Sequence, residues 1–271
     1  MKIVLVLALA ACGAAQQGET LSDSVRSYND GVRWERFGVA AIHVPPDRIV
    51  YRDLSDSNEN YRPLTRISPL LKAAVLTNED GGFYQHRGFN PGAIQGAMAD
   101  NLRAGAFRRG AGTITMQLAR NLYLGHKRTL SRKAQEVVLA WVLEHLTGLS
   151  KDRLLEIYLN IIEWGPDVHG ANEAARYYFA KDASELSLDE ALFLTVVIPS
   201  PARWRTRVDA HGDLRPWARS QMAYIARKMS DHQWLPPEQV PADSTLHVTL
   251  RGRAAELIAP RAAAAADSIG G

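Results

Sequence analysis

Residues 68–88 have the sequence SPLLKAAVLTNEDGGFYQHRG, which predicts one helix followed by a tight turn. Ser68-Pro69 is a cap-then-proline helix start, and Gly81-Gly82 ends the apolar pattern that follows it. Glu79 and Asp80 therefore lie side by side at the C-terminal end of the helix, where the helix dipole disfavours carboxylates. A sequence selected only for stability would avoid this placement.

Two interpretations of this acidic pair are open. A carboxylate that is held against an unfavourable dipole and partly buried has a raised pKa, as a general base near neutral pH requires. Alternatively, Glu79 and Asp80 are a solvated pair, and Gly81 only ends the helix. His86, a few residues further on, fits a structural hydrogen-bonding role equally well.

Helical patterns dominate the rest of the chain. Asn90-Pro91 opens one helix, and Ser187 and Glu190 form the capping box of another. Residues 38–51 contain β-branched residues that allow a strand or two, and the Gly- and Arg-rich residues 100–112 are predicted to be a mobile loop. We expect a mainly α-helical fold, with further helices at about 113–123, 130–147, 151–162, 169–180, 188–197 and 215–230.

The N-terminus has the features of an export signal. An apolar run from Ile3 to Leu9 is too short to span a bilayer, and Leu9-Ala10-Ala11-Cys12 resembles the lipobox of bacterial lipoproteins. Cys12, the only cysteine, is then either a lipidated first residue or part of a discarded signal peptide, and both alternatives export the chain. The predicted boundaries are an export signal at 1–12, a flexible tether at 13–24, one folded domain at 25–261 and a low-complexity tail at 262–271.

Positive charge is concentrated in residues 101–135. The net charge of +3 and pI near 9.0 do not by themselves select a class of ligand, but this segment contains no Asp or Glu. It predicts a surface for a polyanion or a phosphate. Nucleic acid is disfavoured, because the chain is exported and only Phe107 and Tyr123 are available for base stacking. The basic residues of the segment are Arg103, Arg108, Arg109, Arg120, Lys127, Arg128, Arg132 and Lys133.

At the C-terminal end of this segment, one helix face carries basic residues together with the acid that follows the segment. Arg128, Arg132 and Glu136 are spaced four apart, and Lys133 lies three before Glu136. An ordinary surface ion pair is the alternative, but Arg before Glu is the less favourable orientation. Guanidinium groups suit bidentate contact with phosphate, and the carboxylate can position a base or help to bind a divalent cation.

A glycine-rich loop leads into a helix at residues 110–121, GAGTITMQLARN. Free backbone N–H groups and the side chains of Thr113 and Gln117 in the first turns suit an anion. A simple helix cap explains Thr113 as well.

Five segments in this order resemble the five sequence motifs of the penicillin-binding-protein-type peptidoglycan glycosyltransferases. The resemblance covers about residues 63–204, and five motifs in order are specific. It implies a lysozyme-like α-helical fold and polymerisation of lipid II, a disaccharide linked to undecaprenyl diphosphate, into β-1,4-linked glycan strands. The segments are Glu79-Asp80…Phe83…His86…Gly88, Gly110 to Asn121, Arg132-Lys133…Glu136, Lys151…Leu155-Glu156…Tyr158-Leu159-Asn160 and Gly170…Ala174-Ala175…Tyr178-Phe179…Lys181.

The resemblance also implies roles for the matching residues. Glu79 is the base for the 4-hydroxyl of the acceptor sugar, Glu136 is the second acidic catalytic position, and Asp80 and His86 shape the substrate site. A divalent cation (Mg²⁺ or Mn²⁺) at Glu136 or the basic side chains offset the charge of the leaving diphosphate. The implied partners are lipid II, the growing strand, the membrane surface and cell-wall synthase or division proteins. The donor-binding positions are Thr113, Gln117, Arg120, Arg128, Arg132 and Lys133.

The chain departs from the family pattern at three places. Gly112 replaces a usual Ser, Met116 replaces a common Gln, and a lipobox stands where a transmembrane helix is usual. Because the chain contains neither Ser-x-x-Lys nor Lys-Thr-Gly, no transpeptidase activity is expected. Two other functions stay open. One is a lytic muramidase, which needs one Glu as general acid but no diphosphate-binding site. The other is an inactive lipid II-binding scaffold lipoprotein, which is supported only by Gly112.

Overall fold

The computed structural model describes residues 39–44, 48–105, 112–124 and 130–258. Within these ranges most residues lie in helices, which confirms the mainly α-helical fold class. The strands and helices in chain order are β1 (Val39–Val44), β2 (Arg48–Asp53), α1 (Pro69–Glu79), α2 (Pro91–Ala104), α3 (Ile114–Tyr123), α4 (Leu130–Leu146), α5 (Lys151–Ile161), β3 (Glu163–Gly165), β4 (Val168–His169), α6 (Ala171–Phe179), α7 (Leu188–Val197), α8 (Pro216–Asp231) and α9 (Gly252–Ile258).

The predicted helices agree with the structure to within about two residues at their ends. The predicted capping box is present, since Ser187 and Glu190 each bond the backbone N–H of the other at the start of α7. The prediction of a loop at 100–112 is wrong for its first residues, because α2 continues to Ala104 before a turn at Gly105. Residues 106–111 of that predicted loop lie outside the described ranges.

The strands β1 and β2 lie in the segment where the sequence allowed a strand or two, and they pair antiparallel. Val39 pairs with Asp53 and Val44 with Arg48. Ala40 and Ile42, two apart on one face of β1, are buried, whereas Tyr51 of β2 is exposed. None of the described helices is both long and apolar enough to cross a bilayer.

The described chain divides into two compact units. The first contains the described residues up to Thr65 together with Asn78–Ile162, and the second contains Arg66–Thr77 and the described residues from Glu163 onward. The predicted boundaries of a single folded domain, 25–261, stay a prediction.

The first unit is built around α3. This helix packs against β1, α4 and α5. The fully buried Leu118 and Leu122 of α3 and Leu154 and Ile161 of α5 belong to its core. Burying each such side chain stabilises the unit by about 1.5–3 kcal/mol. This packing fixes the two helices that carry Gln117 and Tyr158.

The second unit has an aromatic core. Tyr178 makes edge-to-face contacts with Phe193 and Trp204, at ring-centroid distances of 5.5 and 5.2 Å. Its hydroxyl donates to the carbonyl of Trp164 at 2.7 Å. Gly165 follows that tryptophan in β3, and a Cβ atom there would lie only 2.9 Å from the Tyr178 hydroxyl. A glycine is therefore required at this approach.

Candidate active site

The side chain of Glu79 is the centre of a hydrogen-bonded group in the first unit. Glu79 is the last residue of α1, and the amide of its neighbour Asn78 donates to Oε1 at 2.8 Å. From α3, Gln117 Nε2 donates to Oε2 at 2.8 Å. The other end of the same Gln117 amide, Oε1, accepts from the hydroxyl of Tyr158 on α5 at 3.1 Å. Three helices thus hold one carboxylate.

The pKa of Glu79 is raised, and burial is the main cause. The hydrogen bonds from Gln117 and Asn78, followed by the charge of Arg120, act in the opposite direction and favour the ionised form. The nearby charge of Asp80 makes a smaller contribution that raises the pKa further. The arrangement therefore provides a carboxylate that is more basic than usual and is still supported when it is ionised.

Asp80 and His86 form a second group beside the first. Asp80 is buried, and its two oxygens lie 2.9 and 3.1 Å from His86 Nε2. Asp80 Oδ2 also accepts the backbone N–H of Ile114, the first residue of α3, at 3.1 Å. Asp80 therefore ties the end of α1 to the start of α3. The substrate-shaping role that the resemblance implied for Asp80 and His86 stays a prediction.

Thr113 and Gly88 make a further tie at the start of α3. The Thr113 hydroxyl accepts the N–H of Met116 and donates to the carbonyl of Gly88 at 2.6 Å, so the threonine is a buried N-cap. Gly88 has φ +87°, and a Cβ there would lie 3.1 Å from the backbone of Ala140. The cap explanation for Thr113 fits these contacts, because its hydroxyl is already engaged.

Glu136 is buried between two cations on α4. Its side chain is only 5% exposed. Lys133 Nζ lies 2.9 Å from Oε2, and Arg132 Nε lies 3.3 Å from Oε1. This burial argues against the alternative of an ordinary surface ion pair. The carboxylate holds Arg132 and a half-exposed Lys133, which leaves the lysine ammonium accessible to an anion.

Helix α3 links the Glu136 group to the Glu79 group. A Cβ atom added at Gly112, just before the N-cap of α3, would lie 3.6 Å from Lys133 Nζ. Gln117, which contacts Glu79, is about 6 Å further along the helix axis than Thr113. Because Gly112 carries no side chain, nothing from that residue stands between its backbone and the lysine ammonium.

Both Glu136 oxygens already face a cation, so this residue fits a partner of Arg132 and Lys133 better than a ligand of Mg²⁺ or Mn²⁺. Among the described residues no group of three or more His, Cys, Asp or Glu side chains is arranged to hold a metal ion.

The structure shows the contacts of some predicted donor-binding residues, and other predicted residues lie outside the described ranges. Gln117 was expected to grip a diphosphate, but its amide is engaged with Glu79 and Tyr158. Arg120 is half-buried on α3 and acts electrostatically on Glu79. Arg128 and Cys12 are not among the described residues, so their predicted roles stay predictions.

Two residues of the hydrogen-bonded group around Glu79 had no role predicted from the sequence. Asn78 had no assigned role, and Tyr158 was only a member of a motif. A signal for Tyr158 existed, because it lies on the apolar face of α5 between buried residues, and a buried tyrosine hydroxyl needs a partner. Nothing in the sequence indicated that this partner is Gln117.

Comparison with known proteins identifies the family of the chain. A family model described as Transglycosylase matches residues 47–230. The chain is 40% identical over 205 residues to a biosynthetic peptidoglycan transglycosylase of Alcanivorax borkumensis, covering 73% of this chain and 83% of that protein. It is 44% identical over 172 residues to a protein of the same name from Pseudomonas putida, covering 63% of this chain and 72% of that protein. The chain belongs to the Transglycosylase family, which confirms the resemblance that the motifs indicated.

Proposed function

We propose that the chain is a peptidoglycan glycosyltransferase that polymerises lipid II into β-1,4-linked glycan strands, with Glu79 as the general base. Its family and its identity to biosynthetic peptidoglycan transglycosylases support the class of reaction. The observation that carries the role of Glu79 is its environment, in which burial raises the pKa while Gln117, Asn78 and Arg120 support the ionised form. A general base near neutral pH needs this balance.

The proton transfer follows from the placement of Glu79. Its ionised carboxylate takes the proton of the 4-hydroxyl of the acceptor sugar while that oxygen forms a bond to C1 of the donor strand. The bond from C1 to the diphosphate oxygen breaks, and undecaprenyl diphosphate leaves with the electron pair. Attack from the opposite face converts an α-linked diphosphate into a β-1,4 glycosidic bond.

The leaving diphosphate requires compensation of its negative charge. Lys133 is half-exposed and lies beside the start of α3, and Arg132 is held in the same group by Glu136. We assign donor-diphosphate binding to these two side chains, together with Arg120 and the predicted Arg128. Fixed cations of this kind stabilise the developing charge without reorganisation during the reaction.

Replacing Glu79 with Gln tests the proposal. Purified E79Q should lose at least about 100-fold of its polymerisation activity on lipid II, which is the lower range of a general-base contribution, and should still bind lipid II. The exposed Glu256 offers a control, because E256Q changes the same chemical group at a residue with no assigned role and should polymerise normally. Retention of wild-type polymerisation by E79Q would refute the role of Glu79.

The same assay distinguishes the two other functions. A lytic muramidase would release soluble fragments from finished peptidoglycan and would form no polymer from lipid II. A scaffold would bind lipid II in the wild-type form without turnover. We expect polymer from lipid II and no release of fragments from finished peptidoglycan.

We further propose that the protein works at the outer face of the cytoplasmic membrane, anchored by a lipidated Cys12. Leu102 near the end of α2 is 80% exposed, and its neighbour Arg103 is also exposed, a combination that suits a lipid surface carrying negative charge. Mass spectrometry of the mature N-terminus tests the anchor. An N-terminus that begins after Cys12, with no lipid attached, would contradict it.

A further inference from the structure

We infer that Tyr158 is a positioning residue that orients the Gln117 amide so that its N–H group, and not its carbonyl, faces Glu79. The inference rests on the proposed function, because it concerns the base of that reaction. It is carried by the chain of hydrogen bonds from the Tyr158 hydroxyl to Gln117 Oε1 and from Gln117 Nε2 to Glu79 Oε2, with lengths of 3.1 and 2.8 Å.

A glutamine amide can take two orientations in such a chain. With its N–H toward Glu79 it supports the ionised carboxylate. With its carbonyl toward Glu79 it instead accepts from the protonated acid, and its N–H group faces the tyrosine oxygen. The orientation of Gln117 therefore helps to decide which protonation state of Glu79 is favoured.

Tyr158 makes the two orientations of the Gln117 amide unequal in free energy. Its side chain is fully buried, and among the described residues the Gln117 carbonyl oxygen is the acceptor for its hydroxyl. If the amide turned over, the tyrosine O–H would lose this acceptor inside the core. Leaving a buried donor unsatisfied costs more than a typical hydrogen bond contributes. The hydroxyl thus selects the orientation that the base needs.

The packing of α5 makes this selection rigid. Leu154, Leu155 and Ile161 lie three or four residues from Tyr158 on α5 and are buried with it, and side chains in such a close-packed core have little freedom. Burial also raises the pKa of the Tyr158 hydroxyl well above its usual value, so the group remains a donor at every pH at which the protein works.

The test is the pH profile of lipid II turnover by Y158F, a variant that keeps the ring and removes the hydroxyl. Without the tyrosine donor the amide can turn over and stabilise protonated Glu79, so the acid limb of the profile moves to higher pH. Turnover on the acid limb should fall by roughly three- to tenfold relative to wild type, with full recovery at alkaline pH. The KM for lipid II should stay unchanged.

Y178F is the matched control. Tyr178 is also fully buried and donates one hydrogen bond, but its acceptor is a backbone carbonyl in the second unit. Losing that hydroxyl should reduce stability without moving the acid limb. A Y158F profile that keeps the wild-type position, or that falls by the same factor at every pH, would overturn the inference and indicate a merely structural role.

A double variant asks whether Tyr158 acts through Gln117. Because Q117L removes the amide, Y158F should add no further shift of the acid limb in that background. An additive shift would contradict the inference. Failure of the wild-type protein to polymerise lipid II would instead refute the proposed function, so the two failures are distinguishable.

Discussion

Glu79 shows a conflict between burial, which favours its neutral form, and three neighbours that favour its charged form. Burial prevails, so the pKa is raised, but Gln117, Asn78 and Arg120 limit the rise. A solvated carboxylate would be too weak a base, and a buried one without donors would stay protonated. The paired amides keep the group between these limits.

This conflict predicts a dependence of stability on pH. Because the folded pKa of Glu79 is raised, the folded state binds more protons than the unfolded state between the ordinary carboxyl pKa of about 4.3 and the folded value. The Glu79 contribution to the free energy of unfolding should therefore fall as pH rises through that window. It is most favourable below the window and least favourable above it.

Urea unfolding of wild type and E79Q across this pH range isolates the contribution, since the other titrating groups are common to both proteins. The difference between the two free energies of unfolding should change in favour of E79Q as pH rises. A difference that is constant with pH, or that changes in favour of the wild type, would show that Glu79 does not titrate with a raised pKa.

The sequence indicated the setting of Glu79 better than that of Glu136. At Glu79 the unfavourable position of an acid at the C-terminal end of a helix left two interpretations open, and the resemblance to the family then implied the role of base. The burial of Glu136 was not predictable, since its spacing from Arg132 and Lys133 is the same for a solvent-facing ion pair. Only the packing of α4 on α3 distinguishes the two cases.

At the scale of elements, the junction between α4 and α5 contains a buried polar network. Glu144 near the end of α4 is nearly inaccessible to solvent, and it accepts from Lys151 Nζ at 2.7 Å and from the Thr115 hydroxyl of α3. The Lys151 ammonium lies 4.2 Å from the ring centroid of Phe83, in the turn after α1. The Glu144–Lys151 ion pair therefore connects α3, α4, α5 and the turn after α1.

Breaking this pair on one side should be costly. E144Q keeps the size of the side chain but leaves the largely buried Lys151 without its ion-pair partner, and we expect a loss of about 3 kcal/mol in the free energy of unfolding. Denaturant unfolding measures the effect. Combining E144Q with K151M removes the unpaired charge and should restore most of the loss, whereas a further loss in the double variant would contradict this account.

Long helices were predictable from the sequence, and the shortest strands were not. The helices from α3 to α8 each have at least nine residues and are rich in apolar residues, and caps or prolines mark several of their starts. β3 and β4 contain three and two residues, which is too few to show an alternating pattern. Their pairing depends on tertiary contacts such as the approach of Tyr178 to Gly165.

At the scale of the whole molecule, the described residues of the candidate site belong to the first unit. Glu79 and Lys133 both lie beside α3. Glu79 accepts a hydrogen bond from Gln117 of α3, and Lys133 lies close to Gly112, just before α3 begins. The proposed diphosphate binding at Lys133 and Arg132 would separate a polymerase from a muramidase, because hydrolysis of a finished strand requires an acid but no binding site for a diphosphate.

A crystal structure of E79Q with lipid II bound tests the central claim most directly, because the variant should hold the substrate without consuming it. We predict that a diphosphate lies within hydrogen-bonding distance of Lys133 and Arg132, and that the 4-hydroxyl of a second sugar lies within about 3.2 Å of the side chain at position 79. A diphosphate bound away from α4, with no sugar hydroxyl near position 79, would contradict the assignment.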